Sequence, residues 1–166
     1  DFPDLTKVGV VITKDIEPYE ETKIRILNGG HTALAYLGAL SGYDTFDQVM
    51  NDPSHRQHFK QLQREEIAPS IDIDLPFNVY DYIDKVEERF SNATNIDELD
   101  RICMDGFTKF HTFVLPSLRK CLEQGKRPMH TYKSIAAWYI YSRRFARGCK
   151  KIKYSEPNWV LLEPLL

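Results

Sequence analysis

The chain has 166 residues, of which 42% are hydrophobic and 12% aromatic, and this composition suits one core of ordinary size. Its 22 basic and 24 acidic residues give a net charge of -2, so the charge favours neither nucleic acid nor a membrane surface as a partner. Three cysteines without metal-like spacing indicate reduced thiols and a cytoplasmic compartment. No apolar run approaches the roughly 18–20 residues that a membrane helix needs.

The first residues predict a short strand or an arm. Val8-Gly-Val-Val-Ile12 is a β-branched run that follows Asp1-Phe2-Pro3, and no initiator methionine precedes it. A single strand is not stable alone. We therefore expect the run to pack on the helices as an arm, or to be the exit from a missing upstream domain.

Apolar periodicity and capping residues then predict a series of helices. They cover residues 17–41, 45–50, 53–67, 79–90, 96–103, 107–122 and 131–146. Pro116 predicts a kink in the sixth of them. The apolar closing segment 154–166 is expected to pack back on the helices. The predicted fold class is therefore mainly α.

The first predicted helix carries three polar side chains on one side. At about 100° per residue, Asn28 points about 140° and His31 about 80° away from Lys23. Leu27 and Leu34 fall within the same arc, so we expect the polar groups to be set into an apolar wall. Each residue also has an ordinary structural explanation, as a solvated lysine, a core asparagine or a core histidine. From the spacing alone, a catalytic group and a structural one both stay open.

Two glycines interrupt the same helix. Gly29 and Gly30 each cost roughly 1 kcal/mol relative to alanine in a helix interior. Either a ligand approaches the backbone closely here, or a neighbouring helix crosses at a patch of small residues that includes Gly38. The spacing does not decide between the two.

The segment resembles the signature of the long-chain polyol and uronate dehydrogenases, a mannitol dehydrogenase-like family. The signature residues read Lys23-Ile-Arg-Ile-Leu-Asn28-Gly-Gly-His31-Thr-Ala-Leu-Ala-Tyr-Leu-Gly. The resemblance extends over most of the chain, through Asp15-Ile-Glu-Pro-Tyr-Glu, Gly42-Tyr-Asp-Thr, Arg89-Phe-Ser-Asn92 and Arg101-Ile-Cys-Met-Asp-Gly-Phe-Thr-Lys109.

The resemblance implies a domain organisation. Residues 1–166 would form one helical C-terminal substrate domain, similar to the C-terminal domain of 6-phosphogluconate dehydrogenase, and an upstream nucleotide-binding domain would lie outside the chain. No Gly-x-Gly-x-x-Gly occurs among the eight glycines, so NAD or NADP is expected to be bound mainly by that upstream domain. The family needs no catalytic metal, and His55 and His58 lack a third ligand. No metal site is predicted.

The resemblance also implies roles for individual residues. Lys23 is similar to the general base of an oxidoreductase that interconverts a polyol or aldonate with a ketose or keto-uronate. Asn28 would hydrogen-bond the reacting oxygen, and His31 would position the substrate hydroxyl and the lysine. Arg101 and Lys109 resemble distal contacts to substrate hydroxyls or a carboxylate.

The residues themselves leave room for other interpretations. An apolar setting and the positive charges of Arg101 and Lys109 would both lower the pKa of Lys23. They would thus favour the uncharged amine that a base requires. Without the resemblance, Arg101 is better explained as an ion-pair partner of Asp97 or Asp105.

Two alternative functions stay open. One is a non-catalytic helical binding or assembly module. The other is a sugar-phosphate relative such as mannitol-1-phosphate 5-dehydrogenase, whose signature usually reads Asn-Thr-Gly-His where this chain has Asn28-Gly-Gly-His31. Mannitol-type members of the family often have a serine where this chain has Gly30. This difference leaves open whether the substrate is a polyol or a uronate. We expect a small-molecule substrate, no nucleic-acid or membrane partner, and no activity without the upstream domain.

Overall fold

The computed structural model describes residues 3–94 and 96–166, and helices dominate both stretches. We number them α1–α8 and count helical stretches that follow one another without a break as one helix. Helix α1 comprises Glu17–Thr22, the π-helical turn Lys23–Gly29 and Gly30–Ser41; α2 is Phe46–Asn51; α3 comprises Pro53–Gln61 and the π-helical Leu62–Ile67; α4 is Val79–Phe90; α5 is Leu99–Ile102; α6 comprises Gly106–Lys109, the π-helical Phe110–Val114 and Leu115–Glu123; α7 is Met129–Ala146; α8 is Trp159–Leu162. The predicted mainly-α fold class is confirmed. In neither stretch is any helix both long and apolar enough to cross a membrane.

The π-helical turns of α1, α3 and α6 pack together. The turn in α1 contacts both of the others. In a π-helical turn the backbone bonds run from i to i+5, so the helix holds extra residues and some carbonyl groups lose their usual partner. Gln63 of α3 ties this helix to α1, because its buried Nε2 donates a hydrogen bond of 2.7 Å to the carbonyl oxygen of Ile26, which also accepts the backbone N–H of Gly30.

Gly29 and Gly30 allow these helices to approach α1. A Cβ on Gly30 would lie 1.9 Å from Nε2 of Gln63, and one on Gly29 would lie 2.8 Å from the carbonyl oxygen of Phe113. Gly38 is equally crowded by Val49. The structure therefore supports the helix-crossing explanation of the paired glycines.

The second half of α1 is the central helix of the core. It contacts α7 most extensively and also packs on α2, α3, α5 and the π-helical turn of α6. The largest fully buried side chains include Ile26, Leu34, Tyr36, Phe46, Phe59 and Phe110. The hydroxyl of Tyr36 donates to the carbonyl oxygen of Cys103 at 2.8 Å, which ties α1 to the end of α5. These contacts hold α1 in place, so the side chains on the side of α1 that faces away from the core lie at fixed positions.

The predicted N-terminal strand does not form. Leu5–Val8 is a 3-10 turn, residues 10–13 are irregular, and Val10, Val11 and Ile12 are exposed rather than packed on the helices. Within the described residues the β-type pairing is limited to an isolated antiparallel bridge between Thr45 and Glu98. A β-branched run needs a neighbouring strand, and the helical body offers none. Asp1 and Phe2 lie outside the described residues.

The C-terminal segment packs back on the helices, as predicted. Tyr154 and Leu162 are buried. The indole Nε1 of Trp138 donates to the Tyr154 hydroxyl at 2.9 Å, and this hydroxyl donates to Glu156 at 2.9 Å. Glu156 also accepts the backbone N–H of Phe107 at 2.9 Å. The segment therefore fixes the beginning of α6.

We expect Gly106→Ala to lower the free energy of unfolding by about 1–3 kcal/mol, because the site has no room for a methyl group. A Cβ on Gly106 would lie 2.4 Å from Nε1 of Trp138 and 2.5 Å from the hydroxyl of Tyr36, and both groups are hydrogen-bonded. Urea denaturation measures the change, with Thr108→Ala as an exposed control in the same helix. Equal stability of the two variants would contradict the expectation.

Candidate functional site

A cleft of about 320 Å³ opens where α1, α4, α5 and α6 meet. Its lining consists of Leu27, Asn28, His31, Thr32, Arg89, Phe90, Asp97, Arg101, Ile102, Lys109 and Phe113. Four of the five predicted site residues are among them, namely Asn28, His31, Arg101 and Lys109. The structure thus brings together side chains that lie on three different helices.

His31 lies deep in this cleft. Its ring stacks on Phe90 with centroids 4.8 Å apart and meets the edge of Phe46 at 4.3 Å. Burial lowers the pKa of His31 to about 4; Asp97 acts in the opposite direction, and Arg101, among other nearby cations, lowers it further. The ring is therefore neutral near pH 7, and it exchanges hydrogen bonds as an uncharged group.

Arg101 lines the cleft and is also paired. Its guanidinium lies 2.5 Å from Asp97, an i,i+4 ion pair with the arginine side chain largely exposed. The ion-pair explanation and the substrate-contact explanation of Arg101 therefore apply to the same residue. Exposed pairs of this kind contribute little to stability. The ion pair with Asp97 does, however, fix the direction of the Arg101 guanidinium.

Lys109 faces the cleft from α6. Its ammonium donates a hydrogen bond of 2.8 Å to the carbonyl oxygen of Ile102. Burial lowers the pKa of Lys109, while Asp105 acts in the opposite direction. Asn28 is half-buried across the cleft, within the π-helical turn of α1. The four predicted residues in the cleft thus supply an amide, an imidazole and two cationic donors, and Arg89 adds a third cation.

Lys23 is in a different setting from the one predicted. It is exposed, at the start of the π-helical turn, and it is not among the residues that line the cleft. Because π-helical bonds join i to i+5, Asn28 follows Lys23 by about one turn instead of pointing about 140° away from it. Lys23 therefore lies on the same side of α1 as Asn28, one turn earlier and outside the cleft. The expected apolar wall around Lys23 is not found in the described chain, because the packed helices cover the later turns of α1.

Sequence reasoning missed two charged residues of the cleft. Arg89 lines the cleft and belongs to the Arg89-Phe-Ser-Asn92 block, to which the resemblance assigns no role. Asp97 was considered only as an ion-pair partner of Arg101, although it also lies 4.0 Å from Nε2 of His31. The usable signal for Asp97 was its position four residues before Arg101 on a predicted helix.

The two histidines considered for metal binding have separate partners. His55 contacts Asp52 at 3.0 Å and Ser41 at 3.1 Å, whereas His58 faces His130 at 3.2 Å. Across residues 3–94 and 96–166, no three His, Cys, Asp or Glu side chains are grouped as metal ligands would be.

A family model described as the mannitol dehydrogenase C-terminal domain matches residues 15–164. The chain belongs to this family. Mannitol dehydrogenase DSF1 of Saccharomyces cerevisiae is 36% identical over 159 residues, covering 93% of the chain and 31% of the yeast protein. Mannitol 2-dehydrogenase of Cereibacter sphaeroides is 34% identical over 161 residues, covering 97% of the chain and 34% of the relative.

Solved structures of mannitol dehydrogenase relatives have the same fold. The ternary complex of Pseudomonas fluorescens mannitol 2-dehydrogenase with NAD and D-mannitol matches with a TM-score of 0.82 and 32% identity, covering 99% of this chain and 34% of that one. A substrate-free D-sorbitol dehydrogenase matches with a TM-score of 0.84 and 29% identity, covering 95% and 33%. The chain spans about a third of the length of the relatives it matches.

We expect this mannitol dehydrogenase C-terminal domain to lose stability as the pH falls, partly through His31. The pKa of His31 is about 4 in the folded chain and about 6.5 when unfolded, so the unfolded state takes up the proton first. The contribution is complete above pH 6.5 and is lost towards pH 4; between pH 7 and pH 5 it amounts to about 2 kcal/mol.

Urea denaturation of the wild type and His31→Gln at pH 7 and pH 5 tests this expectation. Burial also lowers the pKa of His58, to about 3, but His58 is present in both proteins and its effect cancels in the comparison. The wild type should lose about 2 kcal/mol more than the variant. An equal loss would exclude His31 as the titrating group.

Proposed function

We propose that the chain is the substrate-binding and catalytic-base domain of an NAD- or NADP-dependent oxidoreductase that acts on CH–OH groups of polyols or aldonates. The observation that carries this proposal is the convergence of Asn28, His31, Arg101 and Lys109 on one cleft, in a chain of the mannitol dehydrogenase family. An amide, a neutral imidazole and cationic donors suit the hydroxyl groups of a sugar alcohol, because each hydroxyl both donates and accepts.

The donor set fits a substrate better than a dinucleotide. The chain has no Gly-x-Gly-x-x-Gly fingerprint. We therefore propose that residues 1–166 form one helical domain and that an upstream domain of the same protein holds the nicotinamide cofactor. Relatives about three times as long as the chain leave room for such a domain. The cytoplasmic compartment stays a prediction.

The proposed reaction removes a hydride and a proton from one carbinol group. A bound nicotinamide supplies the acceptor for the hydride that leaves the carbon. The amine of Lys23 takes the proton of the hydroxyl while the carbon–oxygen bond becomes double. Asn28 donates a hydrogen bond to the same oxygen and stabilises the negative charge that develops on it when the proton leaves ahead of the hydride.

The other cleft residues bind and orient the substrate. His31 holds a hydroxyl through its neutral ring, and Arg101 and Lys109 bind hydroxyls or a carboxylate farther along the substrate. Fixed donors of this kind convert binding into orientation of the reacting carbon. Lys23 is exposed in this chain, so the proposal requires the upstream domain to cover it and exclude water.

Turnover by the full-length protein tests the proposal. It should reduce NAD or NADP in the presence of mannitol, sorbitol or arabinitol, or of aldonates such as mannonate, in the absence of added metal. Phosphorylated polyols as the preferred substrates would favour the sugar-phosphate alternative. A folded protein that turns over none of these would favour the binding-module alternative and overturn the proposal.

A further inference from the structure

Asp97 lies between two residues of the cleft. One carboxylate oxygen is 2.5 Å from the guanidinium of Arg101, and the other is 4.0 Å from Nε2 of His31. The Asp97 side chain is 23% exposed, so it is part of the cleft wall rather than of the outer surface. The roles proposed above do not use it.

The fold holds Asp97 in place through its backbone. The carbonyl oxygen of Asp97 accepts a hydrogen bond from the N–H of Phe46 at 2.9 Å, and the N–H of Leu99 donates to the carbonyl oxygen of Asp44 at 2.9 Å. These bonds flank the antiparallel bridge between Thr45 and Glu98. The position of the carboxylate is therefore set by the junction of α2 and α5 and does not depend on Arg101 alone.

The ring of His31 is fixed as well. Phe46 and Phe90 hold two of its sides, and Nε2 is buried without a hydrogen-bond partner among the described residues. Since the neutral ring carries a single N–H, one nitrogen donates and the other accepts. A carboxylate attracts an N–H and repels a lone pair, so Asp97 favours the tautomer with the proton on Nε2.

We propose that Asp97 is a positioning residue, which fixes His31 as the Nε2–H tautomer and aims the guanidinium of Arg101 at the cleft. This inference rests on the proposed function. With the proton on Nε2, Nδ1 of His31 is the acceptor that remains for a substrate hydroxyl. Pairing with Asp97 also offsets the charge of Arg101, so this end of the cleft suits a hydroxyl rather than a free carboxylate.

The tautomer can be read directly, without substrate or turnover. Full-length protein labelled with ¹⁵N-histidine is examined at pH 7 by long-range ¹H–¹⁵N correlation, and His31→Gln assigns the signals. We expect the proton of His31 on Nε2 in the wild type and a mixture of tautomers in Asp97→Asn. A wild-type proton on Nδ1, or an unchanged tautomer in Asp97→Asn, overturns the inference.

Kinetics of matched variants complete the test. Asp97→Asn should lower kcat/KM for a polyol at least tenfold, mainly through KM, and Asp97→Glu should restore part of the loss. Asp100→Asn removes the same charge three residues later, where the carboxylate pairs with Lys153 at 2.8 Å outside the cleft, and should change neither parameter. Equal effects of Asp97→Asn and Asp100→Asn would contradict the inference.

The two proposals can fail separately. A protein that turns over neither polyols nor aldonates but has the Nε2–H tautomer at His31 refutes the proposed function, whereas the placement of the proton by Asp97 stands. An active enzyme with the proton on Nδ1 refutes only the role of Asp97.

Discussion

Replacing Lys23 by alanine is expected to lower kcat for polyol oxidation by about 10²–10⁴-fold in the full-length protein. Without the amine, the proposed reaction loses the group that takes the hydroxyl proton. Asn28, His31 and Lys109 still bind the substrate, so KM should change little. The Lys23 side chain is exposed, so its removal leaves the core intact. Steady-state kinetics at saturating cofactor measures both parameters.

The matched control for this prediction is Lys85→Ala. Lys85 is an exposed lysine of α4 that is absent from the cleft lining, and its loss should leave kcat unchanged. Urea denaturation of both variants should give the stability of the wild type. A fall in kcat of less than tenfold for Lys23→Ala would exclude Lys23 as the general base.

Glu66→Ala is expected to lower the free energy of unfolding by about 3–5 kcal/mol. Glu66 of α3 is 6% exposed and caps the first turn of α7 from outside. Its carboxylate accepts the backbone N–H groups of His130 and Thr131 at 2.7 and 2.8 Å, and the Thr131 hydroxyl at 2.7 Å. These N–H groups have no partner within the helix, so alanine leaves them unpaired, that of Thr131 in a buried position.

The neighbouring Glu65 provides the control. Its carboxylate is largely exposed and approaches the ring of His130 only at 3.9 Å, so Glu65→Ala should change stability by less than about 0.5 kcal/mol. Glu66→Gln keeps one acceptor oxygen and should fall between the two. If Glu66→Ala were as mild as Glu65→Ala in urea denaturation, the external cap would contribute nothing.

Local sequence signals predicted the helices because those signals act locally. Apolar repeats, Pro53 and the glycine at position 42 mark where α1–α4 begin and end, and the structure follows them closely. The π-helical turns escaped prediction because apolar spacing and capping residues do not distinguish bonds from i to i+5 from bonds from i to i+4. The run Val8–Ile12 was predicted as a strand from β propensity, but a strand also requires a partner, which propensity does not report.

The candidate site was predictable to a similar extent. Helical spacing brought Asn28 and His31 to one stripe, and the resemblance added Arg101 and Lys109, all of which line the cleft. Burial could not be predicted from spacing, since it depends on which helices cover which turn. His31 is covered by Phe90, whereas Lys23 lies where that cover ends.

The π-helical turn of α1 and the number of residues in the signature depend on each other. Removing one residue between Lys23 and Gly29 would be absorbed by a return to α-helical bonding, and His31 would keep roughly its direction relative to Lys23. A return to α-helical bonding without a deletion would instead turn Asn28 to about 140° from Lys23 and separate the two side chains. Selection for activity should therefore act on the hydrogen-bonding pattern and on the length of this turn together.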